Sequence, residues 1–233
     1  MPFLQNIKEA LLHLAYPQLC AVCGSDVLPR NALLCLSCLE ALPQTHFHLH
    51  QHNPIEKVFT GRLPLLHATA QYYFTKESGL QHLLHQMKYR GAQELCVYMG
   101  RLMGQQLAAG NWINNVDALV PLPLFAQREK QRGYNQSALL CQGMADVLGK
   151  PVYKDAIIRS TATESQTRKN RVARWQNMEG RFSVANEAKI KDKHMLLVDD
   201  VVTTGATLEA CGRALLAVPG TQLSIATLCF SVS

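Results

Sequence analysis

Two adjacent carboxylates followed by a run of small hydroxylated residues carry the most chemistry in the shortest stretch of this chain. Met195-Leu196-Leu197-Val198 is an unbroken apolar run, and Asp199-Asp200 closes it. Val201-Val202-Thr203-Thr204-Gly205-Ala206-Thr207 then leads into an apolar-periodic segment, 208–218. The run suits a strand buried on both faces of a parallel sheet, and the periodic segment predicts a helix. Strand, tight loop and helix in that order build an anion site, because the unpaired N–H groups of the first helical turn and the helix dipole both favour a phosphate. Gly205 permits close approach of the backbone, the three threonine hydroxyls add donors, and Thr207 is the expected N-cap. Two aspartates would repel a bare phosphate. They fit a ligand that also has vicinal hydroxyls to be gripped, or a divalent cation, and a ribose 5-phosphate offers hydroxyls and phosphate at this separation. The plain alternative is an ordinary βα turn with a solvated Asp-Asp pair. The loop is not of the Walker A type, since no Gly-Lys-Ser/Thr follows the glycine.

A second constellation is made of sulfur. Of eight cysteines, four form two Cys-x-x-Cys pairs, Cys20/Cys23 and Cys35/Cys38, with Gly24 where a knuckle turn needs a permissive backbone. Four thiolates so spaced predict a tetrahedral structural zinc site, and so short a module would draw its folding energy from the metal. A redox dithiol is the alternative, though one pair would suffice for it. Cys96, Cys141, Cys211 and Cys229 stand alone in helical or strand patterns and read as small buried hydrophobes. The split argues against a secreted disulfide framework and for a reducing compartment. A zinc ribbon can be a binding module or a structural clip, and the single basic residue in the knuckle loop, Arg30, does not separate the two. His46, His48, His50 and His52 alternate just beyond, which suggests an exposed polar linker, with a second metal site as the other reading.

The rest of the chain must position these groups. At 233 residues and 48% apolar composition it can bury a real core, as one medium domain or a domain plus a small module. No apolar run reaches the roughly 20 residues of a membrane span, and residues 1–16 lack a basic-then-apolar leader pattern, so a cytoplasmic location is expected. The net charge of +6 suits anionic partners, phosphorylated small molecules or nucleic acid. Residues 3–16 predict a helix ended by Pro17, and Asn53-Pro54 and Gly61-Arg62-Leu63-Pro64 mark a loop-rich connection. The division drawn is 1–60 for an N-terminal helix and four-cysteine module, and 61–233 for the main domain. Strands are expected at 68–75, 117–124, 152–159, 180–184 and 222–230, and helices at 79–87, 92–109 and 137–148. A basic loop at 125–136 carries Arg128, Lys130 and Arg132; a second basic stretch at 165–177 carries Arg168, Lys169, Arg171, Arg174 and Trp175. Lys88 and Arg90 sit at a helix break, where they reach an anionic ligand or simply solvate a turn. In a Rossmann-like sheet, ligands bind at the carboxyl ends of the strands, where such loops gather.

The 195–207 stretch resembles the phosphoribosyl pyrophosphate (PRPP) motif of type I phosphoribosyltransferases: apolar strand, two acidic residues, two apolar residues, then Thr-Thr-Gly-x-Thr. Four further features precede it in one order. They are the paired Cys-x-x-Cys, Met87-Lys88-Tyr89-Arg90-Gly91, Pro121-Leu122-Pro123 with Arg132-Gly133-Tyr134-Asn135-Gln136, and Gln166-Thr167-Arg168 with Arg171. Together they resemble the ComF family over nearly the whole chain. The resemblance implies an α/β fold: a type I phosphoribosyltransferase (Rossmann-like) core with a mainly parallel sheet, plus a small N-terminal zinc-ribbon module. It implies that Asp199 and Asp200 bind the ribose 2′ and 3′ hydroxyls and that Thr203, Thr204, Gly205, Ala206 and Thr207 hold the 5′-phosphate. The implied cofactors are structural Zn²⁺ on Cys20, Cys23, Cys35 and Cys38, and Mg²⁺ with PRPP. Some members are similar to competence proteins tied to uptake of single-stranded DNA, so DNA and competence-machinery proteins enter as partners, and type I relatives often form homodimers. One departure stands out: longer members carry two knuckles, whereas this chain has one and then the histidine segment.

Two functions follow as expectations. In the first, a ribosyl 5-phosphate passes from PRPP to a nucleophile and pyrophosphate leaves. Catalysis would rest on Asp199, Asp200, Arg132, Arg168 and Lys169. Lys88, Arg128, Lys130 and Arg132 would meet the pyrophosphate, and Arg168, Lys169, Arg171 and Arg174 would belong to a closing lid. In the second, the protein senses PRPP without transferring anything and binds single-stranded DNA by charge and stacking. No feature of the sequence marks an acceptor-base pocket.

Overall fold

The computed structural model describes residues 18–89, 91–159 and 182–231. The helix expected over 3–16 and the basic stretch 165–177 lie outside them, as does Arg90. The chain order is α1 (Leu36–Glu40), α2 (Pro54–Phe59), β1 (Ala68–Phe74), α3 (Gly79–Tyr89), α4 (Gln93–Ala108), β2 (Ala118–Pro121), α5 (Ala126–Arg132), α6 (Gln136–Leu148), β3 (Ile157–Arg159), β4 (Phe182–Val184), β5 (His194–Val202), α7 (Ala206–Leu216) and β6 (Gln222–Ser231). Among the described residues no helix is long and apolar enough to cross a membrane.

The apolar run is the inner strand of a parallel sheet ordered β1-β6-β5-β2. Successive side chains of a strand point to opposite faces. Leu196 and Val198 therefore join the core formed with Leu83, Met99 and Leu140, while Met195 and Leu197 join the one formed with Phe59, Leu208 and Leu215. Burial on both faces explains why the run has no polar alternation. β3 and β4 form a separate antiparallel ribbon.

Helices α4 and α6 cover one face and cross at backbone distance. A Cβ on Gly143 would lie 2.0 Å from the Val97 carbonyl oxygen, and one on Gly100 would lie 2.2 Å from that of Leu140. Gly143→Ala is therefore expected to push the helices apart and cost about 1–3 kcal/mol or more, read as a lowered denaturation midpoint. An unchanged midpoint would contradict the packing.

Several expected elements differ in detail. The supposed loop over 125–136 contains a helix, α5, because Ala-Gln-Arg-Glu-Lys-Gln-Arg consists of strong helix formers. The strand expected over 152–159 shrinks to Ile157–Arg159; Val152 makes only an isolated bridge to Leu119, and a turn intervenes. The histidine segment is not an extended exposed linker. His46 and His52 adopt left-handed conformations around a 3₁₀ turn, Phe47–Leu49, and His48 is only 6% exposed. The cause is anchoring. The Phe47 ring packs edge-on against Tyr73, and the buried Asn53 amide donates to the carbonyls of Phe47, His50 and Ala68.

Candidate functional site

The sheet delivers Asp199 and Asp200 at the carboxyl end of β5, still in register with β6: Asp199 pairs with Thr227. The two carboxylates have different surroundings. Asp199 Oδ1 accepts from Ser137 Oγ at 3.0 Å and from the Asp200 N–H at 2.8 Å. Asp200 Oδ2 pairs with Lys88 Nζ at 2.7 Å, with the side chains 15% and 25% exposed. Burial, reinforced by the Asp200 charge, pushes the Asp199 carboxyl up to about 7, against the opposing pull of its hydrogen bonds and Lys88. The pair thus holds one carboxylate locked to a cation and one poised near neutrality.

Lys88 lies in the last turn of α3, and its placement is enforced by residues with no obvious chemistry. The Met87 carbonyl, at the end of the same helix, accepts from Tyr134 Oη at 2.9 Å and from Gln136 Nε2 at 3.3 Å. Asn135 accepts from the Ser137 N–H as the N-cap of α6 and donates to the Leu122 carbonyl. Ser137 then reaches Asp199. The Arg-Gly-Tyr-Asn-Gln run is accordingly a bracket that ties α3, the end of β2 and the acidic pair together. Reading the sequence for charge overlooked Tyr134, Asn135, Gln136 and Ser137; the dense run of hydrogen-bonding side chains ahead of a helix was the available signal.

Beside the carboxylates is a cavity of about 360 Å³ lined by Lys88, Tyr89, Gly91, Arg128, Gln131 and Arg132. Arg132 Nη1 donates to Gln136 Oε1 at 2.8 Å, and its guanidinium stands 5.6 Å from the centre of the Tyr89 ring. Lys130, on the same short helix, is exposed and does not line this cavity. Arg168, Lys169, Arg171 and Arg174 are outside the described residues.

The loop after β5 has the expected form with one change. Gly205, at φ 72°, is itself the N-cap of α7, with no side-chain cap bond from Thr207. Thr203 and Thr204 are exposed, and Ala206 and Thr207 begin the helix. The first-turn N–H groups of α7 therefore remain available to an anion.

The four knuckle cysteines converge, their Sγ atoms all within 4.8 Å of one another. Cys23 and Cys35 are 3.7 Å apart. Tetrahedral Zn–S bonds of about 2.3 Å require sulfurs about 3.8 Å apart, so the donor set fits zinc. The Gly24 N–H donates to the Cys20 carbonyl and the Cys35 N–H to Cys20 Sγ, the turn such a knuckle needs. The knuckle rests on α3: Gln86 Nε2 donates to the Ala21 carbonyl at 2.6 Å, and a Cβ on Gly79 would lie 2.8 Å from Val22 Cγ1. The four remaining cysteines are buried and free, as their patterns suggested.

Parallel sheet, acidic strand end and phosphate-type loop define a phosphoribosyltransferase-type domain, and residues 135–232 match the model of the phosphoribosyl transferase domain. Over the whole chain the similarity is to the DNA utilization protein YhgH of Salmonella typhimurium, 30% identical across 94% of this chain and 92% of that one. Competence protein F of Haemophilus influenzae is 35% identical across 42% of this chain and 44% of its own length. Competence protein ComFC of Bacillus subtilis is 37% identical across 42% and 38%. The chain belongs to this ComF and YhgH family of phosphoribosyltransferase-like proteins with an N-terminal four-cysteine knuckle.

Proposed function

We propose that the protein binds PRPP together with Mg²⁺ and transfers its ribosyl 5-phosphate to a nucleophile. The C1′–O bond to pyrophosphate breaks, a bond from C1′ to the nucleophile forms, and pyrophosphate leaves with the electron pair. The observation that carries this reading is the juxtaposition of Asp199 and Asp200 with the α7 N-terminus on one side and the Lys88, Arg128 and Arg132 cavity on the other. That order matches a ligand with phosphate, vicinal hydroxyls and pyrophosphate in sequence. Asp199 and Asp200 grip the hydroxyls, the 203–207 loop takes the 5′-phosphate, and the cations stabilise the leaving charge. Asp199, poised near neutrality, is suited to take the nucleophile's proton. The same carboxylates offer the hard oxygen donors that Mg²⁺ favours, and the ion would supply further neutralisation of the pyrophosphate. Zinc on the four cysteines serves the fold and takes no part in transfer.

A second reading is favoured by the names of the relatives: a PRPP sensor that handles single-stranded DNA, using the same cations and Tyr89. It predicts affinity for single strands that falls steeply with salt. Calorimetry with PRPP and Mg²⁺, then an assay of pyrophosphate release with a panel of nucleobases, separates the two. Binding with base-dependent release establishes transfer. Binding without release for any base, together with salt-sensitive affinity for single strands, supports the sensor. No PRPP binding would overturn both.

A further inference from the structure

We infer that Arg62 is a positioning residue for the 5′-phosphate loop, a role that rests on the PRPP reading above and adds to it a group far away in sequence. Its guanidinium is a three-way junction. Nη1 donates to the Thr204 carbonyl at 2.7 Å and to the Val58 carbonyl at 2.9 Å. Nε donates to Glu209 Oε2 at 2.8 Å, and Nη2 reaches the same oxygen. Glu209, only 8% exposed, sits in the first turn of α7 and also binds Arg213 through its other oxygen. One side chain thus joins the end of α2, the loop and the helix that the loop opens.

The Thr204 contact sets the loop. In a planar trans peptide the N–H points opposite to the C=O. Holding the Thr204 oxygen toward Arg62 therefore turns the Gly205 N–H away from Arg62. Gly205 is pinned from behind as well: a Cβ there would lie 2.8 Å from the Phe59 ring and 2.9 Å from Val58. The loop is left one backbone arrangement, and its donors are paid for in advance, which is the form that preorganised anion binding takes. Only arginine meets the geometry, because its rigid fork serves two carbonyls and a carboxylate at once, whereas an ammonium is a point donor.

The test compares three ligands by calorimetry in the full chain: PRPP with Mg²⁺, ribose 5-phosphate, and pyrophosphate with Mg²⁺. Arg62→Gln is expected to weaken PRPP and ribose 5-phosphate by about 10–100-fold, the loss of a charge-assisted contact. Pyrophosphate, which needs only the Lys88, Arg128 and Arg132 end, should change by less than about twofold, the level of a contact that is not touched. Arg62→Lys, which keeps the charge opposite Glu209, should give the same pattern with a smaller loss, and it serves as the comparison if Arg62→Gln does not fold. Equal weakening of all three ligands would reduce Arg62 to a general structural role and overturn the inference. So would unchanged ribose 5-phosphate affinity in a variant whose parent binds it. A parent protein that binds neither PRPP nor ribose 5-phosphate would fail before any variant is made, and would overturn the PRPP reading and this inference together.

Discussion

Asp199→Asn is expected to make the unliganded protein more stable and unable to bind PRPP. The native carboxyl titrates near 7, whereas an unperturbed one titrates at 3.8. Between those values the folded protein keeps a proton that the unfolded chain releases. The contribution of this group to stability therefore falls as pH rises from about 4 to about 7, then stays flat. Above that window the ionised, buried carboxylate costs roughly 2–4 kcal/mol. An asparagine oxygen can accept the same hydrogen bonds from Ser137 and the Asp200 N–H, and it carries no charge to repel Asp200. The variant's melting temperature should exceed the parent's by roughly 5–10 °C at pH 8, with the gap nearly closed at pH 4–5. Its affinity for PRPP should be lost, because neutralising one carboxylate removes both a charge and an acceptor for the ribose hydroxyls. A gap that does not depend on pH would refute the electrostatic account, and retained PRPP affinity would remove Asp199 from the site.

Stripping zinc should have the second large effect, and it should reach the site through α3. The knuckle has no apolar core of its own and shares one with α3, through Leu34 and Leu42 packed with Leu80 and Leu83, and zinc binding in small modules contributes on the order of 10 kcal/mol of folding free energy. Without metal, residues 18–42 should lose their fold, and with it the Ala21 and Val22 contacts on α3. Lys88, at the far end of that helix, would lose that support and rely on the Tyr134 and Gln136 bracket, its pair with Asp200 and the remaining core contacts of α3. Treatment with a strong chelator, followed by its removal, should lower the melting temperature and weaken PRPP by about tenfold, a loss of the size seen when a positioned charge contact is loosened. The Cys35→Ser, Cys38→Ser double variant should reproduce both effects. Metal-free protein that melts and binds like the parent would show that the knuckle is independent of the site. Purified protein without bound zinc would refute the metal assignment itself.

These expectations draw on different levels of the molecule. The acidic pair, the phosphate-type loop and the four cysteines were legible in the sequence because each is local: its chemistry depends on residue types at fixed spacing along a few residues. The buried strand was legible for the same reason, since a strand covered on both faces must be apolar throughout. The helix over 137–148 was legible from local pattern too, while the division of β5 side chains between two cores was seen only in the structure.

What the sequence did not disclose were contacts between segments distant in the chain. Nothing around Gly61-Arg62-Leu63-Pro64 distinguishes a surface turn from the junction that holds Thr204 and Glu209. Tyr134, Gln136 and Ser137 look like ordinary polar residues until α3 and β5 arrive beside them. Arg128, Lys130 and Arg132 look equivalent in sequence, and the turn of α5 is what sends Lys130 to solvent while the other two line the cavity. The histidine segment looked like a linker because alternation is a property of extended chain, and Asn53 and Phe47 prevent extension there by anchoring it to β1. The sequence by itself determined the acidic pair, the loop after it and the four cysteines, and the strand that carries the pair. Which neighbours hold those groups in place, and at what charge, was decided only in three dimensions, because hydrogen-bond partners and desolvation depend on distance in space and not along the chain.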